Sequence, residues 1–191
     1  MSTRTGLWGS IGDAVWRGLR LDAATHAVKC ILYPHAEIHS GSSFMMEEGI
    51  QLNNAAEQYL ISTPTGKRWA HMTINVSGAQ DTSVSLDEGA DCVGNNDTVV
   101  INRDRNSTKT SSVGIYRGIG NVVAAGTRIF TSQWGIAAVG GGKGGGGGDA
   151  STREELILKA GTKYVLTVTA LSANANNITV SLDWYLHTNR N

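Results

Sequence analysis

ITVSLDWYLH, residues 178–187, is the stretch from which the fold is read. Ile178, Val180, Leu182, Trp184 and Leu186 alternate with Thr179, Ser181, Asp183, Tyr185 and His187. A period of two belongs to a strand with one face in a core and the other in water. Just upstream, KYVLTVTAL at 163–171 repeats the pattern and is rich in residues that suit a pleated surface. The turn-forming SANANN at 172–177 lies between the two runs, so they are expected to pair as an antiparallel hairpin.

The alternation recurs at Val28, Cys30 and Leu32; Tyr59 and Ile61; Met72, Ile74 and Val76; Val84 and Leu86; Val99 and Ile101; Val113 and Ile115; and in the run 128–134. Between these runs lie SGAQD, DEGADCVGNND, NRDRNSTKTS and RGIGN, each read as a loop. Short strands with such punctuation predict an all-β protein of about eight to ten strands, a jelly-roll-like antiparallel β-sandwich.

Two segments break the pattern. In residues 1–25, Leu7, Ile11, Val15 and Leu19 fall at helical spacing with Trp8 and Trp16 close by. Gly6, Gly9, Gly12 and Gly18 interrupt them, and each costs up to ~1 kcal/mol in a helix interior. The segment is therefore expected to be an extended or partly helical arm, with a single sandwich over 26–191. Large aromatics dominate contact hot spots, so Leu7, Trp8, Ile11 and Trp16 are the candidate partner-binding residues. The second break is the tract 140–148, eight glycines and Lys143, expected as a mobile surface loop.

The chain has 191 residues, 16 basic against 16 acidic groups, two prolines and two cysteines. That length suits one domain, which can bury roughly 70% of its unfolded surface. Neutrality argues against nucleic acid as a partner. The sequence shows neither a signal-peptide pattern nor the ~20-residue apolar run of a membrane span, so no membrane is expected. Charge is uneven: residues 36–97 carry 2 basic and 9 acidic groups, residues 98–191 carry 10 and 5. Such halves suit complementary contacts between copies or with a partner, or else a mixed surface.

Chemistry finds little purchase. His35, Glu37 and His39 would share one face of an extended strand, a spacing compatible with a metal, yet no further ligand is identifiable. Asp87, Glu88, Asp91 and Asp97, with Asn95 and Asn96, read as a solvated acidic loop without EF-hand spacing. Lys143 is followed by Gly144, so the glycine tract is no phosphate-binding P-loop. Cys30 and Cys92 have no sequence-visible base partner, and there is no GxSxG elbow. The reading is a non-enzyme with no catalytic residues, no metal and no cofactor.

Five stretches together carry a resemblance: YPHAEIHSGSSF at 33–44, ISTPTGKRWAH at 61–71, NRDRNS at 102–107, ELILKAGTKY at 155–164 and LDWYLH at 182–187. They resemble a family of small structural proteins encoded in tailed-bacteriophage genomes, commonly beside the capsid genes, most like a capsid decoration or cement protein. The resemblance implies a virion protein made in the host cytoplasm and bound to the outer surface of the head. Its implied partners are the major capsid protein and its own copies, as a trimer at local threefold positions. A fibre, spike or tail component with a glycan-binding jelly roll is the alternative, with Trp69, Trp134 and Tyr116 as rings for stacking on sugars and a core position expected for Trp69.

Overall fold

The computed structural model describes residues 8–10, 16–18, 33–135, 148–151 and 155–188. The chain divides into two units, Met1–Ala36 and Glu37–Asn191. In the first, β1 (Trp8–Ser10) and β2 (Trp16–Gly18) pair antiparallel, with Ser10 opposite Trp16. The expected boundary at 25/26, the run Val28 to Leu32 and the tract 140–147 lie outside the described residues.

Helix α1 (Tyr33–His39) occupies the stretch that would have put His35, Glu37 and His39 on one face had it been extended. Proline is tolerated in a first helical turn, where its missing N–H costs nothing, and Pro34 stands second in α1. At the other end Gly41, at φ 68°, donates to the Ile38 carbonyl and Ser42 donates to that of Glu37, which closes the last turn.

The second unit holds β3 (Ser43–Leu52), β4 (Ala56–Ser62), β5 (Arg68–Gly78), β6 (Thr82–Glu88), β7 (Asp91–Asp97) and β8 (Ile101–Asn102). It continues with β9 (Gly114–Ala124), β10 (Thr127–Trp134), β11 (Gly148–Ser151), β12 (Leu156–Leu158), β13 (Lys163–Ala170) and β14 (Asn176–Thr188). One sheet runs β10-β6-β13-β4-β9-β7; the other runs β11-β5-β14-β3-β8, with β12 also paired to β5. Along the chain β3, β4, β5 and β6 alternate between sheets, β10 stays beside β6, and β11/β12, β13 and β14 alternate again. That order, β11/β12-β5-β14-β3 facing β10-β6-β13-β4, is the jelly roll, and it bears out the expected β-sandwich.

The expected hairpin of residues 163–171 and 178–187 does not form. β13 pairs with β4 and β6, whereas β14 pairs with β3 and β5. The intervening turn passes the chain from one sheet to the other, so each strand sits at the centre of its own sheet. There Trp184, Leu182, Val180 and Ile178 meet Leu166, Tyr164, Leu86 and Ile61 in one core, all at most 2% exposed. Each such side chain contributes roughly 1.5–3 kcal/mol on removal from water.

Strands β7, β8 and β9 are an elaboration between β6 and β10. Thr82 to Glu88 pairs with Trp134 to Thr127, and Asp91 to Asp97 pairs with Ala124 to Tyr116. The two chain segments therefore form one long ribbon, although β6/β10 sits at one edge of the sheet and β9 joins β4 toward the other. To connect both edges the ribbon folds across the sheet's outer face. Beneath it Leu60 and Val165, which point away from the main core, are 2% and 3% exposed against Ala90, Cys92, Tyr116 and Ile119. The fold in the ribbon falls at Gly126, at φ 87°, where a Cβ would lie 2.5 Å from the Glu88 carbonyl oxygen. No other side chain fits so close to that backbone.

Candidate functional site

Where the ribbon bends, residues 121–129 are exposed without interruption. Val122 and Val123 are 53% and 80% exposed, Ile129 46%, and Val93, opposite Gly120 on β7, 46%. Cys92 points inward to the outer-face cluster, so strand alternation turns Val93 outward, while the ladder shifts register between Val93 and Asp91, beside Val122 and Val123. Two ion pairs border this elbow. Arg128 Nε and Nη2 donate to the two carboxylate oxygens of Asp87 at 3.0 and 3.1 Å. The Lys159 ammonium pairs with Glu88, which holds the Glu88 carboxyl below its ordinary value. An apolar centre with a polar rim has the anatomy of a protein-contact surface.

At the far end of the ribbon lies a cleft of about 230 Å³, lined by Met46, Glu47, Glu48, Asn96, Asp97, Thr98, Val99 and Arg117. Arg117 Nη1 donates to Glu48 at 2.6 Å and Nε to Glu57 at 2.9 Å, so one guanidinium links β9 to both β3 and β4. The hydrogen bond to Glu57, with both carboxylates near, raises the Arg117 value further. Tyr59 donates to the other Glu48 oxygen at 3.0 Å. A second hollow of about 350 Å³ opens beside it, with Phe44, Val100, Val113, Asn102, Lys109 and Ser111 among its walls.

Burial, and after it the neighbouring carboxylate, raises the Tyr59 phenol far above its ordinary value near 10; burial likewise pushes Tyr164, which donates to Glu88 at 3.0 Å, up to about 12. A phenol raised on folding contributes stability that is complete below about pH 10 and declines as pH climbs from there toward the folded-state value. In a base titration followed by tyrosinate absorbance, Tyr59 and Tyr164 will therefore ionise only as the fold is lost, above about pH 11. All five tyrosines ionising together near pH 10 with the fold intact would contradict this burial.

The sequence-derived candidates scatter. Leu7 and Ile11 lie outside the described residues, while Trp8 and Trp16 sit on β1 and β2. His35, Glu37 and His39 lie on a helix, where His35 and His39, four apart, share one side and Glu37, two from each, is turned to the other, so the three do not share a face. Among the described residues no group of three or more His, Cys, Asp or Glu is placed to hold a metal. The acidic segment 87–97 is not a loop: Asp87 and Glu88 end β6 and Asp91 to Asp97 form β7. Cys92 is buried, which raises its thiol. Cys30 falls outside the described residues.

Of the three rings proposed for sugar stacking, Tyr116 packs against the outer-face cluster and Trp134 against the main core. Trp69 is not in the core: it is half-buried on β5, on the face opposite Ala70 and Met72. Beyond it His71 stacks on Tyr185 at 4.8 Å, and both reach Glu155, a cluster that no sequence spacing announced. The charge asymmetry of the sequence is partly satisfied within one chain, since Arg117, Arg128 and Lys159 from the basic half pair with Glu48, Glu57, Asp87 and Glu88 of the acidic middle. No described helix is long and apolar enough to cross a membrane. Compared with known proteins, the chain matches no family model, no curated protein and no solved structure.

Proposed function

We propose that this chain is a structural virion protein that seats on the outer surface of a phage head and holds neighbouring subunits together. The observation that carries the reading is the elbow: Val122, Val123 and Ile129 exposed together at the bend of a ribbon, on a body pinned by cross-strand ion pairs. A surface of that kind gains free energy by covering itself with another protein. A protein that binds the assembled shell but not dissociated subunits stabilises the shell by mass action, and several weak contacts made together multiply. In this reading the major capsid protein is the partner and the N-terminal segment, with Leu7, Trp8, Ile11 and Trp16, is the anchor.

Co-sedimentation with capsid shells tests it. The double substitution Val122→Asp/Val123→Asp, and separately removal of residues 1–20, will each lower occupancy at least tenfold. Because the elbow valines are exposed, the double variant will melt within ~0.5 kcal/mol of the parent chain. Full occupancy by both variants would overturn the proposal.

A further inference from the structure

We propose that the elbow of one copy seats in the acidic cleft of a second copy, so that copies join head to tail. The two surfaces are complementary in both apolarity and charge. At the elbow each bordering ion pair turns its cation outward: Arg128 is 58% exposed against 11% for Asp87, and Lys159 69% against 23% for Glu88. The face therefore offers valines beside two outward-turned cations, with the exposed Asp91 opposite Ala124 at the same bend. The cleft offers Val99, 78% exposed, framed by Glu47, Glu48 and Asp97, above the buried Met46. Its one lining cation, Arg117, is already shared between Glu48 and Glu57, which leaves Glu47 and Asp97 to face a partner.

Elbow and cleft stand at opposite ends of the β7/β9 ribbon, about six residues or roughly 20 Å apart. A knob and a hole on different parts of one molecule can pair reciprocally across a twofold axis or join head to tail. Joined head to tail, as proposed, they yield a closed ring where the rotation closes. A ring would supply the several simultaneous attachments that the proposed role requires. The inference rests on the elbow being a protein-contact surface, and it names the protein.

Sedimentation velocity on the purified full chain tests it without any capsid. The parent chain will form a closed oligomer of more than two copies at high micromolar concentration, and a parent that stops at a dimer would overturn the head-to-tail arrangement. Val122→Asp/Val123→Asp removes the knob and Asp97→Lys/Val99→Asp removes the hole, so each variant alone will sediment as a monomer. Mixed one to one, they will form a dimer and nothing larger, because each retains the surface that the other lacks. Should either variant lose its cooperative melt, Val123→Thr and Val99→Thr will replace them, each weakening association about tenfold. A monomeric parent, oligomers that survive either variant, or a mixture that stays monomeric would each overturn the inference. A parent that is monomeric yet decorates shells defeats the head-to-tail contact alone; one that forms rings yet leaves shells bare defeats the capsid reading alone.

Discussion

Leu60→Ala will lower stability by about 3 kcal/mol, and the melting midpoint by roughly 6–12 °C, although Leu60 lies outside the main core. Its side chain is 2% exposed beneath the folded ribbon, in contact with Val165, Ala90 and Cys92. The loss combines the transfer term for the deleted carbons with the cavity left between two layers that cannot collapse together. It should also be local. Hydrogen exchange will rise first in β7 and β9, while β5 and β14, which belong to the other sheet, keep their protection. A cost below about 1 kcal/mol with ribbon exchange unchanged would mean that the ribbon is not held from below.

Arg117→Met will cost about 2 kcal/mol, less than a fully buried pair would, because the Arg117 side chain is 40% exposed. The substitution keeps much of the aliphatic stem and removes the guanidinium that Glu48 and Glu57 share, leaving two half-buried carboxylates facing each other. Adding Glu57→Gln will restore part of the loss, since it removes one of the two repelling charges, and the double-mutant cycle will show coupling of 0.5 kcal/mol or more. Strict additivity of the two substitutions in thermal melts would show that the three groups do not act as a unit.

How far each element could be read in advance depends on how many of its faces are buried. β14 has one face in the core and one outside, so its alternation from Ile178 to Leu186 is plain. Tyr59-Leu60-Ile61 and Tyr164-Val165-Leu166 are buried on both faces and so lose the alternation. Three consecutive apolar residues are the mark of a covered sheet, a signal that reading these runs as one-faced strands passed over. The ribbon itself was hidden because RGIGN, read as a loop, carries Gly118 and Asn121 at positive φ inside β9, where they bend a strand that continues through them. Turn-formers between β13 and β14 announced a reversal but not which sheet receives the returning strand. For α1 the spacing of His35, Glu37 and His39 misled, whereas Pro34 near its start and Gly41 just past its end marked the helix. Val122 and Val123 fall in none of the alternating runs, and their exposure was not legible because periodicity sees polarity and not whether a neighbour exists.

Electron cryo-microscopy of phage heads incubated with the purified chain bears most directly on the proposed role. The account predicts double-sheet density on the outside of the head, bridging capsid subunits, with each elbow in the cleft of the adjacent copy and the N-terminal segment directed at the shell. Bare heads, or density confined to the tail, would contradict it.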